Sequence, residues 1–461
     1  MHERCISFAL PVLVGLVACN EPVDTPRASP PIPNFGPVPT PRQLAWQELE
    51  QVMFVHFGVN TFTGKEWGDG TEDPKIFNPT RLDARQWARV AREAGFAGIV
   101  LTAKHHDGFA LWPSRTTEHS VKNSPWKNGR GDVVKEVAEA CREAGLKFGV
   151  YLSPWDRHEP TYGTEAYNDF YVNQLTELLT GYGPIFEVWL DGAIGPDVKA
   201  SPYDTDRWYR VVRELQPDAV MAIAGPDVRY VGNENGEAGE TQWSVVGDRW
   251  YPSECDVPNR FFTWFWSDPG EILIKRADQL LEIYFQSVGR NCGLLLNVPP
   301  NSDGLMSEQD LVPLRVFAAS RDRIFARNLA QGAASSASNV RAGDEASYGA
   351  ALAVDRHDET FWATDDDVVS ATLELDLGSP VFFDVIEIEE AIAYGQRVEA
   401  YRVEVETNGV FNAVHAGTTI GHKRLARIEG ATTRRVRLVI EVSRAAPAIR
   451  RLGLYDDKER P

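Results

Sequence analysis

Asp191 ends the run Phe186-Glu187-Val188-Trp189-Leu190 and is followed at once by Gly192. An apolar strand that closes on one carboxylate is how a buried barrel strand delivers an acid to the mouth of a pocket. Aspartates after strands also cap helices. The next helical pattern, however, starts near Thr205, too far along the chain to be capped by this one. A carboxylate so placed can attack an acetal carbon. Glycoside chemistry then needs a second acid, to protonate the departing oxygen and afterwards take a proton from water, about 5–5.5 Å away for a retaining reaction. Glu234, in Gly232-Asn233-Glu234-Asn235-Gly236, follows the strand that ends at Ile223. Its flanking glycines let the backbone approach a ligand closely. Glu254, in Pro252-Ser253-Glu254-Cys255-Asp256, lies between Trp250 and Trp264, where desolvation would raise a carboxyl pKa. Glu234 is the better placed, and Glu254 is the alternative.

Other strand-like runs end in His56, in His105-His106 and in Trp155-Asp156. Adjacent residues on a regular strand point to opposite faces, so His105 and His106 cannot both chelate one metal there. No HExxH or comparable spacing supports a metal, and none is expected. Past the strand end both imidazoles can turn into a pocket and bind hydroxyls. Glu66-Trp67, on the long first loop, suits the same use: a carboxylate for hydroxyls and an indole for a sugar ring. Trp155 and Trp189 are further ring-stacking candidates.

These residues are spaced by alternating elements. Helical patterns at Asp83–Ala94, Asp132–Ala144, Tyr167–Leu179, Thr205–Leu215 and Ala277–Val288 each lead into a short apolar run. Strands buried on both faces read as unbroken apolar runs, and alternation with helices implies parallel pairing. About six such units predict a TIM-like (β/α) barrel over 44–328, an α/β fold. An open doubly wound sheet is the rival, but no glycine-rich phosphate loop follows any strand. After the small-residue joint Gly332–Ser338, alternating segments such as Ala371–Leu377 and Arg435–Ile440 predict an all-β sandwich over 334–457.

A formal charge of −19 argues against nucleic acid, which needs a basic face. Thirteen tryptophans suit sugar rings, although many must fill cores. At the N-terminus, Arg4 precedes an apolar run from Phe8 to Val17, too short to span a membrane as a mature helix. Leu16-Val17-Ala18-Cys19 resembles the lipobox of bacterial lipoproteins, in which the cysteine is lipidated. The expectation is a signal peptide over 1–19 and a proline-rich tether over 20–43. The product would be an exported lipoprotein, at the periplasm or cell surface, that meets the membrane only through a lipid on Cys19. Cys141, Cys255 and Cys292 are too irregular for a disulfide framework or a zinc motif.

The blocks Val55-His56-Phe57-Gly58, Glu66-Trp67, Ala103-Lys104-His105-His106-Asp107-Gly108-Phe109 and Glu187-Val188-Trp189-Leu190-Asp191-Gly192 resemble those of family 29 glycoside hydrolases, the α-L-fucosidases. The resemblance spans roughly 44 to 325. It implies a retaining exo-hydrolase with Asp191 as nucleophile and a fucose pocket lined by His56, Glu66, Trp67, His105, His106 and Trp189. Gly225–Glu234 and Tyr151–Arg157 are similar to the subfamily preferring α-1,3 and α-1,4 fucosyl linkages on branched glycans, in which the acid/base matches Glu234. The methyl group of fucose calls for an apolar wall, which Trp67, Trp189 or one of Phe261, Phe262, Trp264 and Trp266 could form. The tail resembles an F5/8 type C module through Ala353-Val354-Asp355, Thr360-Phe361-Trp362, Gly417–Gly421 and Arg435–Leu438. Such modules often hold structural calcium near the segment matching Asp355 and Asp358. Here Arg450 or Arg451 stands where a late carboxylate is expected, so no cofactor is expected. The expected partners are fucosylated glycans. A retaining exo-glycosidase for another sugar, or a catalytically inactive glycan-binding lipoprotein, are the alternative functions.

Overall fold

The computed structural model describes residues 31–196, 198, 203–243, 247–267 and 273–457. The signal peptide, Cys19 and the first part of the tether lie outside the described residues. From the N-terminal side the elements are α1 (Pro41–Gln47), β1 (Gln51–Val55), α2 (Val59–Thr63), α3 (Ala84–Glu93), β2 (Gly98–Lys104), α4 (Val133–Ala144), β3 (Lys147–Leu152), α5 (Ala166–Gly181), β4 (Glu187–Leu190), α6 (Thr205–Leu215), β5 (Val220–Ile223), β6 (Arg229–Tyr230), β7 (Ser253–Pro258), α7 (Ala277–Gln286), β8 (Cys292–Asn297) and α8 (Glu308–Phe325).

The eight strands pair in parallel in the order β5-β4-β3-β2-β1-β8-β7-β6. One isolated bridge, Ala222 to Val228, joins the two ends and brings the sheet close to a closed barrel. The side-chain period of two sorts each strand. Phe54, Val100, Tyr151, Trp189 and Leu295 fill the interior. Met53, Val55, Ile99, Val150 and Leu296 pack outward against the helices. Asp83, Asp132 and Asp204 cap α3, α4 and α6 by accepting from backbone N–H groups in the first turn, which fixes where those helices begin.

Two strands beyond the anticipated six units complete the barrel. β6 has only two residues, and β7 reads Ser-Glu-Cys-Asp-Val-Pro, too polar to resemble a buried strand. It is buried along its whole length nonetheless, because its carboxyls find partners inside the barrel.

The C-terminal unit is antiparallel: β9 (Ala334–Ala337), β10 (Trp362–Ala363), β11 (Ala371–Glu390), β12 (Val398–Thr407), β13 (Val410–Gly417), β14 (Arg424–Ser443) and β15 (Ala448–Tyr455). β11 and β14 run 20 residues each and shift register between Asp376 and Val381. That shift lets the two halves of each strand cover opposite sides of one core, with Leu373 and Leu375 from one half of β11 and Ile386 and Ile388 from the other.

Residues 31–40 are not a free spacer. Ile32 is buried against Phe361 and Ala391, Phe35 N–H donates to the Tyr394 carbonyl at 3.0 Å, and Arg341 donates to the Pro31 carbonyl. An extended proline tract makes no internal hydrogen bonds, so its carbonyls are open to such donors. The same tract ends earlier than expected, at Pro41, where α1 starts with a Thr40–Gln43 capping box.

Candidate active site

The C-terminal ends of the barrel strands open on a cavity of about 800 Å³. His56 follows β1, His105 and His106 follow β2, Asp191 follows β4, Glu234 follows β6, and the segment Phe261–Trp264 follows β7; all of them line it. Glu66 and Trp67 enter from the loop after α2.

Asp191 is held from two sides. The Tyr151 hydroxyl donates to Asp191 Oδ2 at 2.7 Å, and the Ala193 N–H donates to Oδ1 at 2.8 Å. Both bonds fix the orientation of the carboxyl group. His106 Nε2 lies 3.9 Å from Asp191 Oδ2. Burial pushes Tyr151 well above the usual phenol range, and the Asp191 charge pushes it the same way, so the phenol stays protonated and keeps donating.

The imidazole tautomers follow from their neighbours. Asn297 Oδ1 accepts from both His56 N–H and His56 Nδ1, the latter at 2.9 Å. Ser153 Oγ donates to the Trp155 carbonyl and therefore accepts from His106 Nδ1 at 2.7 Å. In both rings Nε2 is left as an acceptor for a hydroxyl. Burial pushes the His56 pKa down to about 3 and His105 well below its ordinary value, so these rings stay neutral. Burial lowers His106 as well, while Asp191 opposes that shift. His105 and His106 both line the cavity with ring centroids 4.1 Å apart, as expected for residues beyond a strand end. Among the described residues no group of three His, Cys, Asp or Glu is arranged to hold a metal.

Glu234 occupies a polar turn at φ 54°, closed by Asn233 Oδ1 accepting from Asn235 N–H at 3.0 Å. The Tyr230 hydroxyl lies 3.3 Å from Glu234 Oε1 and 3.2 Å from Asp256 Oδ2, which ties the loop carboxylate to a buried one. Burial drives Asp256 well above the carboxylate range, and Glu234 and Glu254 add to the rise.

Glu254, the alternative acid, is excluded from the cavity. It lies inside β7, 2% exposed, beneath Trp189, whose Nε1–H donates to Glu254 Oε2 at 2.9 Å. Its neighbour there is Glu187 of β4, which accepts from Trp46 Nε1 at 3.2 Å. Burial raises both carboxyls, Glu187 to about 7, and the Glu187 charge lifts Glu254 further. A group sealed under the floor cannot protonate a leaving oxygen.

One other expectation needs correcting. Trp155 does not line the cavity. It packs on His106 with the rings tilted and their centroids 4.7 Å apart, and it supports the wall without forming it. Glu66 lines the cavity, and each of its oxygens accepts one bond from the loop after β7: Oε1 from Trp264 N–H at 2.9 Å and Oε2 from Thr263 Oγ1 at 2.8 Å, which leaves each oxygen a further lone pair. It pins the loop after β7, and burial lifts its pKa while those bonds pull it down. Trp189, 4% exposed, lies on the floor, and Trp67, 59% exposed, stands at the mouth. Of the aromatics proposed for an apolar wall, Trp264 packs 5.0 Å from His56, Phe262 points to solvent, and Trp266 does not line the cavity.

Sequence reasoning passed over Tyr151, Tyr230, Asp256 and Lys275, all of which line the cavity. Tyr151 reads as one more apolar residue of β3. Only its register opposite Trp189 on β4 places it beside Asp191. In the C-terminal unit the residues do not fit a calcium ion. Asp358 is ion-paired with Arg451, and the two Asp355 oxygens accept from His357 N–H and Thr360 Oγ1 at 2.8 Å each.

A family model described as Alpha-L-fucosidase matches residues 42–318, and one described as F5/8 type C domain matches 331–451. Alpha-L-fucosidase 1 of Arabidopsis thaliana is 46% identical over 448 residues, covering 92% of this chain and 88% of its own. The crystal structure of SpGH29 superposes with a TM-score of 0.87 at 40% identity, over 92% of this chain and 100% of that one. A Ruminococcus gnavus GH29 fucosidase in complex with fucose gives 0.87 at 35% identity, over 93% and 97%. A strand-end carboxylate in a histidine-lined barrel cavity, these matches and the trailing β-domain agree, and the chain belongs to the family 29 glycoside hydrolases, as an α-L-fucosidase with a C-terminal F5/8 type C domain.

Proposed function

We propose that the enzyme releases terminal α-L-fucose from α-1,3- or α-1,4-linked positions of oligosaccharides or glycoconjugates, by a retaining double displacement. Asp191 attacks the anomeric carbon as the bond to the acceptor oxygen breaks, and Glu234 gives that oxygen its proton. Glu234, now a carboxylate, takes a proton from water, and the water oxygen displaces Asp191 and frees fucose. His56, His105 and His106 bind fucose hydroxyls, while Trp67, Trp189 and Trp264 border its apolar side. The observation that carries this reading is Asp191 itself: a carboxylate oriented by Tyr151 and the Ala193 N–H, in one cavity with Glu234. The other-sugar and inactive-binder alternatives give way to fucosidase family membership.

The chain is further read as an exported lipoprotein anchored through Cys19, on the strength of Leu16-Val17-Ala18-Cys19. The β-domain is read as a brace that needs no calcium, since Arg451 already neutralises Asp358.

Variant kinetics test the catalytic assignment. Asp191→Ala is expected to abolish turnover of an aryl α-L-fucoside. Glu234→Ala is expected to slow it, with partial rescue by azide, which needs no general base. Glu254→Ala should show no azide rescue; rescue in that variant and none in Glu234→Ala would reverse the assignment. Fucose release from α-1,2- against α-1,3- and α-1,4-linked oligosaccharides tests the linkage.

A further inference from the structure

Phe262 is out of keeping with its surroundings in two ways. Its side chain is 97% exposed although it stands on the rim of the cavity. Its backbone lies at φ 66°, in the left-handed region that bulky residues avoid. A sequence under pressure for stability alone would place glycine or asparagine there and keep a phenyl ring out of water. Such an outlier beside an active site points to a ligand.

The cause of the conformation is visible. Thr263 and Trp264, the next two residues, are drawn into the cavity by the two oxygens of Glu66, at 2.8 and 2.9 Å. The chain must reverse just before them, and Phe262 takes the reversal with its ring turned outward. The ring is therefore presented by a segment whose next two residues are hydrogen-bonded to Glu66.

Its position selects the ligand. The loop carrying Phe262 leaves β7, and the loop carrying Glu234 leaves β6, the strand paired with β7. Glu234 protonates the oxygen that departs with the acceptor sugar, so the acceptor lies on the Glu234 side of the cavity, above the floor of Trp189. Phe262 lines the same cavity, exposed, on the loop of the neighbouring strand. Resting on the proposed acid/base role of Glu234, we propose that Phe262 is an acceptor subsite: a platform for the apolar C–H face of a sugar beyond fucose in a branched oligosaccharide. Apolar contact with an aromatic face can add affinity there without touching the fucose pocket.

The test compares two substrates. α-L-Fucosyl fluoride has no acceptor sugar. The branched trisaccharide with fucose and galactose both on N-acetylglucosamine has two. Phe262→Ala is expected to lower kcat/KM for the trisaccharide about tenfold, mainly through KM. Fluoride hydrolysis should change by less than about twofold. Phe262→Trp should restore the trisaccharide rate. Phe262→Gly should match Phe262→Ala in kinetics while melting at a higher temperature, because glycine accepts the positive φ. An unchanged trisaccharide rate in Phe262→Ala, or equal losses on both substrates, would overturn the subsite. A wild-type enzyme inert on the fluoride would instead refute the hydrolase reading, and an azide-insensitive Glu234→Ala would refute the role assigned to Glu234.

Discussion

Asp191 does not act alone, and its dependence on Tyr151 is measurable. The phenol donates to Oδ2 at 2.7 Å inside a buried setting. Removing one hydrogen bond to a charged group costs about 1.5–3 kcal/mol, so Tyr151→Phe should lower kcat by roughly 10–100-fold while the fold is kept. Steady-state kinetics with circular dichroism check this; an unchanged kcat would mean that the phenol does not steer the proposed nucleophile. At this scale the sequence was informative where chemistry and strand ends coincide. Asp191, His56, His105 and His106 each stand just past an apolar run, and all four reach the cavity. Glu254 misled because its aromatic neighbours in sequence suggested a pocket wall: Trp264 does line the cavity, but Trp250 packs against Ile392, and Glu254 itself lies inside β7 facing the barrel interior. Tyr151 and Asp256 were hidden because a residue inside a strand reveals its cavity-facing role only through register with its neighbour.

The strands carry a second carboxyl pair with its own pH signature. Glu187 and Glu254 face each other across the barrel under Trp189, and burial lifts Glu187 to about 7. A carboxyl raised in the folded state binds a proton that the unfolded chain has already released. Its stabilisation is complete below the unfolded value near 4.5 and is lost as pH rises through about 7. Buried His56, lowered to about 3, has the opposite effect: the unfolded chain takes up protons below about 6.5, and stability falls with acid. Glu187→Gln should therefore flatten the alkaline decline, by about 2–3 kcal/mol between pH 5 and 8 relative to wild type. Denaturant melts at the two pH values measure it; parallel curves for the two proteins would show that the pair is not protonated as described. The barrel strands with apolar interiors were legible from their composition, but β7 was not, because paired carboxyls replace aliphatic side chains along its inner face.

Across the whole molecule the barrel and the β-domain share a buried ionic cluster. Lys423 of the β-domain lies 2.5 Å from Glu50 of the barrel and 3.2 Å from each of Glu387 and Glu389. Arg450 joins Glu389 to Glu48 at the end of α1, and Phe325 of α8 packs on Tyr455 at 5.0 Å. Burial alone would depress the Lys423 ammonium, yet the carboxylates around it hold its pKa well above the usual lysine value. Lys423→Met leaves buried carboxylates without their cation and should cost about 3–5 kcal/mol of unfolding free energy. kcat at 25 °C should not change, because Lys423 is absent from the cavity lining. A loss below about 1 kcal/mol would show that the cluster is not what joins the two units. The division into barrel and β-domain could be read from the change of period after Gly332. The junction could not, since its charges lie far apart in sequence and their meeting depends on how the two units dock.

The proposed double displacement requires a covalent bond between fucose and Asp191. A 2-deoxy-2-fluoro-fucosyl fluoride slows hydrolysis of such an intermediate more than its formation, and mass spectrometry of the digested protein then locates the label. The expected result is one fluorofucosyl group on the peptide that contains Asp191, absent in Asp191→Ala. Label on any other residue, or an unlabelled enzyme that releases fucose with inverted configuration by NMR, would contradict the mechanism.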